Sequence, residues 1–263
     1  MEYAIKKRFI VIPILAVALH FLMSNILYFS VEKLFLDALH IPEEQFMKIS
    51  YLGELLIYSV LIILFFTIYR LLWRKDSNEL NTETNVKDSI ISIGAGIGVS
   101  GVSLIWLMLA GQIPALQKSI EAMDAGTKNI GGGSVLGGFL IAVVSAPIIE
   151  EILFRGIIFK AIRKISPAWI AIAVSSVLFG IYHMNIVQAV YATFMGVVAG
   201  IIYEKKKNLI FPILVHFANN LIAFLQDAMP QALGEMINII AIMMVIPLGY
   251  IIYRLLRYKE LKE

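Results

Sequence analysis

Three stretches of this sequence set groups capable of acid–base chemistry inside otherwise apolar runs. They are Pro147-Ile-Ile-Glu150-Glu151-Ile-Leu-Phe-Arg155, Phe179-Gly-Ile-Tyr-His183 and His216-Phe-Ala-Asn-Asn220. On a helix, positions i and i+4 share a face. Glu151 and Arg155 therefore face each other as a candidate salt bridge, while Glu150 points about 100° away from that pair. Phe179 with His183, and His216 with Asn220, stack in the same way. Each group has a structural reading when taken singly: an internal ion pair, a hydrogen-bonded histidine, an asparagine that ties helices together. His20, alone in its apolar run, keeps that reading. Taken together, the groups supply what hydrolysis requires. Glu150 can take a proton from water with His183 sharing the task, and His216 with Asn220 can donate hydrogen bonds to an oxyanion.

The elements that must position these groups are membrane helices. Hydrophobic residues make up 59% of the 263-residue chain and charged residues only 16%, with a mean hydropathy of +0.83. Soluble domains run near 45–50% and 25%. A spanning helix needs ~20 apolar residues, and eight runs qualify: 9–30, 51–73, 89–111, 134–162, 167–183, 186–203, 208–226 and 232–253. The fifth and sixth are short, with a tight turn near Met184. The expectation is an all-α, polytopic bundle of about eight spans. It forms a single membrane domain over 1–263, with the motifs gathered in a core over 134–226. Ionisable groups inside such spans cost ~2.5–3.5 kcal/mol each, which marks them as functional candidates. Counted from the inner face at ~1.5 Å per residue, Glu150, His183, His216 and Asn220 lie roughly 12–24 Å deep.

Charge alternation sets an expected orientation. Lys6 to Arg8 precede the first run; Arg70, Arg74, Lys75 and Lys87 flank the second loop; Lys160, Arg163 and Lys164 follow the fourth run. Lys205 to Lys207 follow the sixth, and Arg254, Arg257, Lys259 and Lys262 lie beyond the last. The alternate loops hold only Lys33, Lys48, Lys118 and Lys128. Lys and Arg favour the cytoplasmic side, so both termini belong in the cytoplasm and the loops 31–50 and 112–133 outside. The second of these carries an interfacial helix around Pro114–Met123. The first apolar run is too long for the hydrophobic region of a cleaved signal peptide.

Other classes are excluded or disfavoured. There is no cysteine, hence no disulfide, thiolate zinc site or cysteine nucleophile. A net charge of +3 implies no nucleic-acid partner. Gly94, Gly96, Gly98 and Gly101 have no strand before them, so they read as close helix packing rather than a dinucleotide loop; Gly196 and Gly200 read likewise. No repeat between halves suggests a transporter, and the polar groups gather in the second half.

The ordered set Glu150-Glu151-x-x-x-Arg155, Phe179-x-x-x-His183 and His216-x-x-x-Asn220 resembles the three motifs of the CAAX-protease and bacteriocin-processing family, also called the Abi family. The resemblance covers about residues 145–220. It implies an eight-helix membrane endopeptidase of the glutamic type, acting on peptide or protein substrates in the lipid bilayer. On that reading Glu150 and His183 activate the water, His216 and Asn220 form the oxyanion hole, and Glu151, Arg155 and Phe179 brace the site. No cofactor is expected. Zinc held by Glu150, His183 and His216 is the alternative, disfavoured because nothing here resembles His-Glu-x-x-His. A non-catalytic immunity or scaffold protein, or a small transporter, are the rival classes. Abundant Ile and Lys without Cys suggests a bacterial cell membrane.

The topology is checked by single-cysteine labelling on this cysteine-free background. A cysteine replacing Asn81 should stay unlabelled by an impermeant reagent in intact cells, and labelling there would reverse the orientation.

Overall fold

A computed structural model of the chain describes residues 2–74 and 84–257. The expected inner-loop position Asn81, with Lys75, Lys259 and Lys262, lies outside those residues. Among the described residues all regular structure is helical. Seven stretches are long and apolar enough to cross a membrane: Phe9–Ala38, Lys48–Leu72, Val86–Ala110, Val135–Arg163, Ile186–Lys206, Ile210–Ala228 and Gln231–Arg257. The chain is thus an all-α, multi-pass membrane protein. Large apolar side chains that water would not tolerate as one surface, such as Ile63, Leu71, Met243 and Ile246, are 67–82% exposed and suit a lipid solvent.

We label the helices α1 Glu2–Lys33, α2 Glu43–Leu72, α3 Val86–Ala110 and α4 Gln117–Asn129. Next come α5 Val135–Arg163, α6 Ala168–Tyr182 and α7 Ile186–Lys206. The last are α8 Ile210–Ala228, α9 Gln231–Met243 and α10 Val245–Arg257. The expected fifth run is helical as α6, but its 15 residues reach only about 22 Å, short of the ~30 Å hydrocarbon thickness. The expected outer-loop helix is present as the turn Pro114–Leu116 leading into α4.

The chain divides into two compact units, Met1–Arg74 with Ala125–Ser166, and Lys75–Asp124 with Pro167–Glu263. In the first, one face of α2 presents Leu61, Phe65, Tyr69 and Trp73, all buried, and α5 packs on it. The Trp73 indole donates to the Gly156 carbonyl at 2.8 Å. Lys160 on α5 is 6% exposed, its ammonium 5.4 Å and 5.2 Å from the Tyr69 and Trp73 ring centres. Phe9 of α1 stacks on Trp73 at 6.2 Å. His20 packs against Phe65, ring centres 5.4 Å apart, with Ser24 Oγ 3.4 Å from its Nδ1, a contact of the kind expected for it.

In the second unit α3 is the hub, because its small residues let backbones approach. A Cβ on Gly96 would stand 2.2 Å from the Val215 carbonyl of α8. One on Gly98 would stand 2.6 Å from the Met244 carbonyl, and one on Gly101 2.0 Å from that of Ala241. Packing, rather than a nucleotide loop, accounts for these glycines. The register differs from the expected Gly94–Gly98 pair: Gly94 has its nearest neighbour at 3.6 Å, ordinary contact. The helices α6 and α7 form an antiparallel hairpin, with Gly180 against Thr193 and Ala189, and Gly200 against Ile172.

The glycine register generates a paired test. Gly101→Ala should cost about 1–3 kcal/mol, since a backbone must move to admit the methyl group. Gly94→Ala, with room and better helix propensity, should be neutral or stabilising by up to about 1 kcal/mol. Melting in detergent compares them; equal melting temperatures would remove α3 from its role as hub.

Candidate active site

The first unit holds the acidic motif. Pro147 sits in the first turn of an α-helical segment, Ala146–Glu151, framed by π-helical stretches at Phe139–Ser145 and Ile152–Phe159. The wider ladder is visible in the Ala146 amide donating to the Ile141 carbonyl five residues back. Such π segments occur often at functional sites, because they re-aim side chains. At the seam Glu151 and Arg155 meet as the spacing predicts, Oε1 to Nη1 2.9 Å, both side chains fully buried. Glu150 is half-buried. It lies within electrostatic reach of the Arg155 guanidinium, so the two carboxylates share one cationic field rather than dividing cleanly into paired and uncoupled. Glu150 also acts on the Tyr58 hydroxyl of α2, as does Glu54. Neither Tyr58 nor Glu54 is singled out by sequence reasoning, because one polar tip in a run of aromatic and aliphatic residues carries no motif.

The second unit holds the histidines. His183 caps α6 just beyond its last residue rather than lying inside the span. The turn His183-Met184-Asn185 is held from three directions. Asn185 caps α7, its Oδ1 accepting from the backbone of Val187 and Gln188 at 3.0 and 3.1 Å. Ser119 donates to the same oxygen at 2.9 Å, and Asn185 Nδ2 returns a bond to the Ser119 carbonyl at 2.7 Å. Trp106 of α3 donates to the Val187 carbonyl at 2.9 Å. Met184 takes the left-handed conformation, φ 53°, that lets two helices reverse in so few residues.

His183 Nδ1 lies 2.9 Å from the Phe179 carbonyl. A carbonyl can only accept, so Nδ1 carries the proton, and in the neutral ring Nε2 is the basic nitrogen. The Phe179 ring stands edge-on to both histidines, 4.9 Å and 82° from His183, 5.6 Å and 84° from His216. One buried phenylalanine therefore spaces the two imidazoles. His216 on α8 is 3% exposed. It sits beside Val215, which meets α3 at Gly96. Gly96 lies eight residues beyond Asp88, about 12 Å along the helix. One turn further along α8, Asn219 Nδ2 donates to Asn220 Oδ1 at 3.0 Å. That bond occupies the acceptor end of the Asn220 amide and orients its NH₂ end for donation. Asn219 is a residue sequence reasoning missed, although the Asn-Asn doublet in an apolar helix was a visible signal.

Within the first unit the structure thus brings Glu150, Glu151 and Arg155 together, and within the second Phe179, His183 and His216, with Asn220 one helical turn from His216. Within each unit, the described residues contain no group of three His, Asp or Glu side chains that could hold a metal ion.

All seven motif residues fall within residues 132–222, which match the family described as type II CAAX prenyl endopeptidase Rce1-like. Over this core segment the chain is similar to that family. A Bacillus subtilis (strain 168) protein named "Putative membrane peptidase YdiL" is 32% identical over 91 residues. That similarity covers 35% of this chain and 37% of the relative. No solved structure matches the chain. The family segment runs from the glycine-rich entry to α5 through α8, so α1–α4, α9 and α10 lie outside the matched region.

The buried ion pair generates a double-mutant cycle. Glu151→Gln or Arg155→Gln alone should lower stability in detergent by about 3–5 kcal/mol, since each strands a buried charge. The double change should recover part of that loss. Strict additivity would show that the pair is not coupled.

Proposed function

We propose that the chain is an intramembrane endopeptidase of the glutamic type, hydrolysing peptide bonds of membrane-associated or membrane-entering substrates. The observation that carries this reading is the complete, ordered motif set inside the family segment. The similarity to a Bacillus protein named as a membrane peptidase agrees with it.

In the proposed reaction Glu150 takes a proton from water, helped by His183 through its basic Nε2, and the hydroxide attacks the scissile carbonyl carbon. His216 and Asn220 donate hydrogen bonds to the oxyanion that forms. Collapse of the tetrahedral intermediate breaks the C–N bond, and the proton held by Glu150 passes to the leaving amine. Glu151 and Arg155 hold α5 in register, and Phe179 spaces the histidines. The proposed mechanism uses no metal; zinc on Glu150, His183 and His216 is its competitor. We further place both termini in the cytoplasm of a bacterial cell membrane, on the charge alternation.

The test is peptide-library cleavage by the purified protein, with melting temperature measured alongside. Glu150→Gln should keep its fold and lose at least about 100-fold in turnover, and strong chelators should leave the wild type active. Normal cleavage by Glu150→Gln removes the proposed base. Loss of activity with phenanthroline, restored by zinc, replaces the mechanism by a metal-dependent one.

A further inference from the structure

In the second unit, α3 begins, and α7 and α10 end, around one cavity of about 540 Å³. Among the described residues, four cationic side chains from these three helices line it: Lys87, Lys205, Lys206 and Arg254. The acidic side chain in the lining, among the described residues, is Asp88, and both its oxygens are engaged within the protein. One accepts from Lys206 Nζ at 2.5 Å and the other from Asn85 Nδ2 at 2.8 Å. That leaves an excess of positive charge facing the cavity, contributed mainly by Lys87, Lys205 and Arg254. The rest of the wall is largely apolar: Ile91, Tyr250, Ile251 and Leu255. Tyr250 is 60% exposed and stands beneath Arg254, whose guanidinium carbon is 6.0 Å from the ring centre.

A cationic rim above an apolar wall, at the ends of three membrane helices, matches one chemistry: a phosphodiester whose acyl chains continue into the bilayer. Three features select the lipid over a free anion. The cations sit where the candidate spans Val86–Ala110, Ile186–Lys206 and Gln231–Arg257 terminate, at headgroup level. Tyr250 and the exposed Tyr253 and Leu256 give α10 the aromatic and apolar surface of an interfacial belt. A soluble phosphate would use the cations and leave the apolar wall without a partner. Basic pockets between spanning helices are suited to anionic headgroups.

We propose that this cavity is a binding site for an anionic phospholipid headgroup, held by Lys87, Lys205 and Arg254, with an acyl chain along Ile91, Ile251 and Leu255. The Asp88–Lys206 pair closes one side of the site and limits its affinity, because it neutralises a fourth cation. The proposal is independent of the peptidase reading, since it uses none of the motif residues.

The experiment is native mass spectrometry and thermal melting of the full-length protein in detergent. Phosphatidylglycerol, phosphatidylcholine and inorganic phosphate are titrated separately. Phosphatidylglycerol should be retained and stabilising, and the other two should not. The double variant Lys205→Gln, Arg254→Gln should bind phosphatidylglycerol roughly 30-fold more weakly. Asp88→Asn, which frees Lys206 while removing a native ion pair, should bind it more tightly even as the lipid-free protein melts lower. This opposite sign separates a binding site from a structural cluster, whatever the fold of the double variant. Equal retention of phosphatidylcholine, unchanged binding by the double variant, or weaker binding by Asp88→Asn overturns the site. Stabilisation by inorganic phosphate equal to that by phosphatidylglycerol overturns the lipid and leaves a soluble anion.

Discussion

A charge carried into hydrocarbon loses several kcal/mol of hydration, and no water is there to restore it. Each polar group in the spans of this chain must therefore take its partners from the protein. Arg155 and Glu151, fully buried at 2.9 Å, are the extreme case. Trp73 bound to the Gly156 carbonyl and Lys160 over two aromatic rings hold α5 on α2 through directed contacts. Apolar packing alone could not do so, since lipid is as apolar as leucine. Glu150 is carried to its position by the same helix, and its half-buried setting follows from that docking.

The second unit meets the same constraint by close approach. Gly96 and Gly101 bring α8 and α9 near enough for backbone contact, and Gly98 does the same for Met244 between α9 and α10; there dispersion replaces the hydrophobic driving force that lipid cannot supply. Precision at the histidines comes from hydrogen bonds to backbone. Phe179 contributes its carbonyl to His183 and its ring to both imidazoles, so one residue sets the tautomer of one histidine and the spacing of two. The turn after α6 is tied to Ser119 and to α3 through Trp106, which places a segment outside the family match in charge of a motif residue's position.

Much of this was legible in the residues themselves. The apolar runs determined an all-α membrane protein, because hydrocarbon admits backbone only when its hydrogen bonds close internally. The i, i+4 spacing determined that Glu151 and Arg155 pair and that His216 and Asn220 share a face, because helical period is local geometry. Tertiary structure alone decided the rest. It set Arg155 within reach of Glu150 as well as Glu151, and brought Tyr58 and Glu54 into the same field. It moved the close-packing register from Gly94 to Gly96 and Gly101, and it gathered Lys87, Lys205 and Arg254 around one cavity. None of these has a fixed sequence offset: they join residues far apart along the chain, and their distances depend on how helices rotate and tilt against each other once small residues have set how near they come.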